Sequence, residues 1–149
     1  MSLHHRARRL FLLATLAGVT GCGTTDKLVL TTSPRLNTCE GADPHPCVVR
    51  VYYLASADRF ASADFVALWE DDVATLGGDR LHFVEKTLNP KQQLTLSLER
   101  DEAVKGATAI GVVANFCKPG EGCWRKTVPI SGDDFEIRVH LDEGCLSID

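Results

Sequence analysis

The chain has 149 residues, of which 44% are hydrophobic and 24% are charged, and this composition is typical of about one globular domain. A two-domain enzyme is therefore not expected. Removal of residues 1–21, which contain three arginines and no acidic residue, leaves 13 basic and 20 acidic residues and a net charge of −7. This balance argues against a nucleic-acid binder, because phosphate contacts need clustered Lys or Arg.

The N-terminus has the pattern of a secretion signal. Basic residues 4–9 precede ten apolar residues, 10–19, a run shorter than the roughly 20 residues that span a bilayer. The run ends in Val-Thr-Gly directly before Cys22, which resembles the bacterial lipobox. We therefore expect residues 1–21 to be a lipoprotein signal peptide, Cys22 to carry covalent lipid such as palmitate, and residues 22–27 to include a short tether. The alternative is an ordinary cleaved signal with Cys22 unmodified.

Residues 28–149 are expected to form one β-sandwich domain. The two clearest strands, 94–98 and 135–141, alternate apolar and polar residues with period two, as expected of strands with one buried face. The other short segments that are rich in β-branched or aromatic residues are 28–32, 48–55, 81–88, 108–116, 124–130 and a possible terminal strand at 146–148. Seven or eight short strands favour a mainly β fold of two packed antiparallel sheets over a βαβ fold.

One stretch, residues 62–76, has helical periodicity instead. Ser62 can cap its start, and Gly77 and Gly78 can end it. The apolar residues near one stripe are Phe65, Leu68, Trp69, Val73 and Leu76. Because the adjacent Asp71 and Asp72 can break the helix into two turns, a short helical insertion is predicted.

Five cysteines remain after Cys22, and their number suits an oxidising compartment. Pairing Cys39 with Cys47 and Cys117 with Cys123 would close two short loops, so these two disulfides are expected, with Cys145 left over. A zinc cluster built around Cys39, His45 and Cys47 is the alternative. Its spacing matches no common zinc module, and no metal site is expected.

The sequence contains little that points to catalysis. The acidic pairs lie beside turns or on polar faces, where solvated carboxylates are the ordinary case. His82 and His140 lie among charged neighbours and are expected at the surface. Because no nucleophile, zinc-protease or phosphate-loop motif is present, we expect no enzyme activity and no cofactor apart from the covalent lipid.

Several motifs occur in an order that resembles one family. They are VVRVYYL at 48–54, RF-x-SADF-x-x-L at 59–68, LGGD at 76–79, LNP at 88–90, IGVVANF at 110–116 and WR at 124–125. With the lipobox, they resemble the TssJ family, the outer-membrane lipoprotein of type VI secretion systems, over about residues 28–141. The chain departs from the family pattern in its cysteine pairs and in residues 89–92, where a glycine usually follows the proline.

The resemblance implies a transthyretin-like β-sandwich with a small helical insertion and no enzymatic activity. It implies tethering to the inner leaflet of the outer membrane, facing the periplasm, and Gly23 after the lipidated cysteine fits sorting to that membrane. The implied partner is the periplasmic domain of the inner-membrane protein TssM and, through TssM, TssL. The chain would then be a structural component of the complex that docks the contractile injection apparatus.

In this family the loop between the first two strands contributes to TssM binding, and residues 33–46 are the matching stretch. The residues expected to contact the partner are Arg35, Leu36, Asn37, Thr38, Glu40 and Asp43, with Leu36 as an apolar anchor and Asn37 as a hydrogen-bonding group. Alternatively, the loop is a variable connection whose disulfide only stabilises the domain. A periplasmic ligand-binding module would need a pocket of apolar and a few polar groups, whereas a hydrolase would need convergent histidine and acidic residues.

Overall fold

A computed structural model describes residues 26–98, 104–130 and 135–149 of the chain. The expected signal peptide, Cys22 and most of the expected tether lie outside the described residues. The described chain forms two four-stranded sheets that pack face to face, and the predicted β-sandwich is confirmed. Three short helices cover one outer face.

The first sheet contains the strand that follows the N-terminal segment. It has the order β4-β1-β7-β8, with β1 at Lys27–Thr32, β4 at Gln93–Ser97, β7 at Glu136–Leu141 and β8 at Leu146–Ile148. β1 pairs antiparallel with β4 but parallel with β7. The sheet is therefore mixed, whereas the number and short length of the strands predict antiparallel sheets.

The second sheet is antiparallel throughout. Its order is β3-β2-β5-β6, with β2 at Cys47–Leu54, β3 at Arg80–Leu88, β5 at Ala109–Asn115 and β6 at Arg125–Pro129. Strand β5 is buried on both faces because the first sheet covers one side and the helices cover the other. Its continuous apolar sequence follows from that position.

The helical insertion consists of three short helices, α1 at Asp58–Ser62, α2 at Phe65–Glu70 and α3 at Asp72–Leu76, followed by a 3₁₀ turn at Gly77–Asp79. The expected cap at Ser62 is wrong, because its hydroxyl donates to the Asp58 carbonyl within α1. The caps are the Asp64 and Asp71 side chains, which accept hydrogen bonds from the amides of Ala67 and Ala74. Each carboxylate starts a new helix, so the stretch does not form one continuous helix.

Two hydrophobic clusters hold these layers together. The larger lies between the sheets and contains Leu28, Leu30, Val49, Val51, Ile137 and Val139 among its members. The smaller lies between the second sheet and the helices, where Phe60 is fully buried. Gly111 on β5 permits this contact, since a Cβ atom there would lie 2.7 Å from two atoms of the Phe60 ring.

Two arginines of the second sheet also hold the insertion. The Arg50 guanidinium lies 4.0 Å from the centre of the Trp69 ring, donates to the Trp69 carbonyl at 2.6 Å and pairs with Glu85 at 2.7 Å. Arg125 donates to the carbonyls of Phe60 and Ala63. Both side chains thus bind carbonyls in or just after short helices, where the last carbonyls lack partners within the helix.

The strand directions define two ends of the sandwich. The N-terminal end is where β1 begins, and the distal end is where β1, β3, β5 and β7 finish. The connections at the distal end are residues 33–46, 89–92, 116–124 and 142–145. We refer to loops 33–46, 116–124 and 142–145 together as the distal tip.

Candidate partner-binding surface

Loop 33–46 starts with a turn that is fixed to the β7–β8 connection. The Ser33 amide donates to the Leu141 carbonyl at 2.9 Å, and its hydroxyl donates to the Asp142 carboxylate. The Ser33 hydroxyl oxygen also accepts a hydrogen bond from the Arg35 backbone amide at 3.0 Å. Arg35 forms an ion pair with Glu143 of the same connection. The first turn of the loop is therefore held by polar contacts to its neighbour.

The structure does not place Leu36 where an apolar anchor would have to be. Its side chain is fully buried in the cluster between the sheets. A leucine in that position stabilises the domain and offers no surface to a partner, so the expectation of an exposed Leu36 anchor is wrong. The physical reason is that the turn at the start of the loop folds back over the open distal end of the core.

Asn37 also points inward, and it joins two connections. Its amide group donates to the Pro46 carbonyl at 2.9 Å, and its oxygen accepts a hydrogen bond from the Cys117 amide at 2.7 Å. The residue has a φ of 51°, in the left-handed region that asparagine tolerates better than most residues. Asn37 is 4% exposed and holds the two ends of the loop to the β5–β6 hairpin, so its side chain is not available to a partner.

The disulfide pairing differs from the one expected. Cys39 is bonded to Cys117, and Cys123 is bonded to Cys145, while Cys47 is a buried free thiol. The expected pairs were short in sequence, but Cys47 begins β2 with its side chain in the core. Burial raises the pKa of the Cys47 thiol to about 12. The expected bridges within single loops are therefore replaced by bridges between different loops.

The two disulfides join the three loops of the distal tip into one unit. The first ties loop 33–46 to the β5–β6 hairpin, and the second ties that hairpin to the connection before β8. Sequence reasoning missed Cys145, Asp142 and Glu143 as parts of this unit. Successive strands run in opposite directions, so every second connection lies at the same end of the sandwich. This alternation could have shown that residues 142–145 lie beside loop 33–46.

The outer part of loop 33–46 is exposed. Residues 40–46, which include Glu40 and Asp43, are all exposed, and Thr38 is half-buried. Three prolines and one glycine fall within residues 34–46. Of the six residues expected to contact a partner, Arg35, Glu40 and Asp43 are at the surface, Thr38 is partly so, and Leu36 and Asn37 support them from below.

Other chemistry is sparse in the part of the chain that the structure describes. No group of three or more His, Cys, Asp or Glu residues there is arranged to hold a metal ion. His82 is exposed, and His140 is half-buried with its Nδ1 atom 2.9 Å from the Thr31 hydroxyl. These residues do not converge on a common site.

A cavity of about 300 Å³ opens at the N-terminal end, away from the distal tip. Its walls are mostly apolar, with Leu98, Ile110 and Phe135 among them, and Asp26, Tyr53 and Lys105 add polar groups. This composition is what a ligand-binding module requires, but the tip residues take no part in it. Among the described residues, no helix has the length and apolar character needed to cross a membrane.

Comparison with known proteins identifies the family. The model of the family described as type VI secretion lipoprotein, VasD, EvfM, TssJ matches residues 24–144. The crystal structure of the T6SS lipoprotein TssJ1 from Pseudomonas aeruginosa is 25% identical, covers 85% of this chain and 95% of its own, and superposes with a TM-score of 0.76. No match was found among curated protein sequences.

Two further solved structures contain chains that are similar to this one. The Serratia marcescens Lip, a membrane-bound component of the type VI secretion system, is 26% identical over 83% of this chain and 96% of its own, with a TM-score of 0.72. A chain in a structure described as the T6SS protein TssM C-terminal domain (869–1107) from EAEC is 26% identical over 84% of this chain and 100% of its own, with a TM-score of 0.74. The protein therefore belongs to the TssJ family of type VI secretion lipoproteins, which are structural components and not enzymes.

Proposed function

We propose that this lipoprotein connects the outer membrane to the inner-membrane part of a type VI secretion complex. Its distal tip binds the periplasmic C-terminal domain of TssM, and TssM links it to TssL. Its N-terminus is held in the inner leaflet of the outer membrane by lipid on Cys22. No cofactor other than this lipid takes part.

The observation that supports this function best is the covalently joined distal tip. Two disulfides, the Asn37 hydrogen bonds and the Ser33–Asp142 contact hold three loops in one arrangement. A loop that is already ordered loses less conformational entropy when a partner binds, and more of the contact energy then appears as affinity. A solvent-exposed loop with this much support is suited to docking.

The contacts are assigned to the exposed part of loop 33–46. Glu40 and Asp43 offer charged groups, Thr38 offers a hydroxyl, and Arg35 lies beside Glu143 at the rim. Exposed charges at a rim mainly affect the rate of association and its dependence on salt. Within this loop, the apolar and backbone surface around Pro44 and Pro46 then contributes more to the affinity than the charged rim does.

The two ends of the sandwich suit the two attachments. Cys22 precedes Asp26 by four residues, and four extended residues span at most about 14 Å. The N-terminal end is thus held near the membrane that carries the lipid. Loop 33–46 follows β1 directly and lies at the opposite end. A chain similar to this one, at 26% identity and with a TM-score of 0.75, occurs in a structure described as a type VI membrane complex.

The docking proposal is tested by calorimetry with the periplasmic C-terminal domain of the cognate TssM. The test variant replaces residues 40–45 with a Gly-Ser segment of equal length, which leaves Leu36, Asn37 and Cys39 in place. We expect at least a thirtyfold loss of affinity, roughly 2 kcal/mol, as for removal of a true hot spot. The matched control, Val66→Ser/Val73→Ser, changes two exposed residues of the helical insertion and should bind like the wild type.

The outcomes separate the parts of the proposal. Absence of binding by the wild-type protein would refute TssM as the partner. Equal affinity of wild type and loop variant, both shown to be folded by circular dichroism, would move the interface elsewhere on the sandwich.

The anchor is tested separately. Labelled palmitate should enter the wild-type protein but not Cys22→Ser, and globomycin should cause the precursor to accumulate. If the wild-type protein takes up no label, the lipid anchor is refuted whatever the result with TssM.

A further inference from the structure

Strand β4 forms an open edge of the first sheet. The Leu98 amide donates to the Asp26 carbonyl at 2.9 Å, and the Thr32 amide donates to the Gln92 carbonyl at 2.9 Å. Since hydrogen-bonded pairs alternate along an antiparallel ladder, the even-numbered residues of β4 bond to β1. The amides and carbonyls of the odd-numbered residues, Gln93, Thr95 and Ser97, therefore point away from the sheet.

These three outward residues also have exposed side chains. Within the described part of the chain, none of their outward backbone groups has a hydrogen-bond partner. An extended segment placed beside them would meet three N–H and three C=O groups along a strand about 17 Å long. The strand carries no charge and no proline.

The other three sheet edges have features that hinder pairing. β3 carries the neighbouring charges Glu85 and Lys86, and α3 packs against it. β6 contains two basic residues and ends at Pro129. β8 is only three residues long. Charge, proline and short length are the usual means by which an edge strand is protected from pairing, and β4 has none of them.

The open edge is continuous with the proposed docking surface. The turn that leads into β4 is bonded to the base of loop 33–46, because the Lys91 amide donates to the Ser33 carbonyl at 3.3 Å and the Thr32 hydroxyl donates to the Asn89 carbonyl at 2.7 Å. A partner that contacts loop 33–46 can therefore reach the start of β4 without crossing another element.

We propose that the partner bound at the distal tip adds an extended, uncharged segment to β4 as a fifth strand of this sheet. In this mode of recognition, main-chain hydrogen bonds supply much of the affinity, and side chains at alternate positions supply the specificity. The half-buried Leu94 and Leu96 on the inner face of β4 would be covered by apolar residues of the added strand. The inference rests on the proposed function, whose partner it assigns to this edge.

The test compares three proteins in calorimetry with the TssM periplasmic domain: wild type, Thr95→Pro and Thr95→Val. Proline removes the outward amide at the centre of the edge without breaking a bond to β1, whereas valine keeps that amide and suits a strand. We expect Thr95→Pro to bind about tenfold or more weakly, as for the loss of one hydrogen bond with added steric conflict, and Thr95→Val to bind like the wild type. Circular dichroism and urea unfolding establish that both variants are folded.

Hydrogen exchange of the same complex provides a second readout. Amide exchange of Gln93, Thr95 and Ser97, whose N–H groups point away from β1, should slow on binding. The docking proposal stands if the wild type binds and the 40–45 variant binds weakly. The edge proposal is overturned if, in the same experiments, Thr95→Pro binds normally and residues 93–97 gain no protection. Protection of residues 93–97 together with dimer formation in the absence of TssM would assign the edge to a second copy instead and would also overturn it. No binding by the wild type refutes both proposals.

Discussion

Asn37→Ala should destabilise the domain by about 3 kcal/mol. The substitution removes two hydrogen bonds, of 2.9 Å to the Pro46 carbonyl and 2.7 Å from the Cys117 amide. Each contributes about 1 kcal/mol to the unfolding free energy when water can replace the lost side chain. Both partner residues are exposed, which permits such hydration. The φ of 51° adds about 1 kcal/mol, because alanine disfavours the left-handed region.

Urea unfolding of a matched series separates these contributions. Asn37→Gly removes both hydrogen bonds but tolerates the left-handed backbone, and should cost about 2 kcal/mol. Glu40→Ala, in the exposed part of the same loop, should change the unfolding free energy by less than about 0.5 kcal/mol. If Asn37→Ala costs less than about 1 kcal/mol, the role assigned to the two hydrogen bonds is wrong. If it costs no more than Asn37→Gly, the contribution assigned to the left-handed backbone is wrong.

Three further predictions concern the interior. Gly111→Ala should cost about 1–3 kcal/mol in urea unfolding because its Cβ would overlap the Phe60 ring, whereas Gly78→Ala, which has no atom within 4 Å of the added Cβ, should be neutral; equal stability of the two would contradict the packing. Cys47, the free thiol among the described residues, should alkylate only after denaturation, and rapid alkylation of the native protein at pH 8 would contradict its burial. Because burial raises its pKa from 9 to about 12, its contribution to stability should be complete below pH 9 and lost as the pH rises toward 12. Tyr52→Phe should be neutral or slightly stabilising in thermal unfolding, because the buried hydroxyl has no hydrogen-bond partner among the described residues, and a loss above about 1 kcal/mol would reveal a bond that it makes.

The strands could be predicted because their pattern is local. Strand β7 alternates buried Ile137 and Val139 with exposed Glu136 and Arg138, and this alternation is visible in the sequence. The break in the helical stretch was also anticipated at Asp71 and Asp72, although the second break at Asp64 was not. Side-chain capping competes with helix continuation over such short distances, and periodicity alone does not show which wins.

The cysteine pairing and the burial of Leu36 could not be predicted in the same way. Both depend on which loops meet at the distal end, and that follows from the order of strands in two sheets. Cys39 lies 78 residues from Cys117, so a rule that favours short loops selects the wrong partner. For the candidate surface, the sequence predicts that residues 33–46 connect β1 and β2, but it does not show which side chains of this loop face outward.

The position of β1 determines how the domain would respond to tension. In the proposed complex, a pull between lipid on Cys22 and a partner at loop 33–46 would enter the described chain at its first residues and leave where β1 ends. The force would therefore run along this single six-residue strand. β1 is bonded on both sides, to β4 and to β7, along its whole length. Its ladder bonds lie across the direction of pull and must shear together, since they cannot open one at a time. The Cys39–Cys117 bridge would pass part of the same force to β5, and thus recruit the second sheet to resist it.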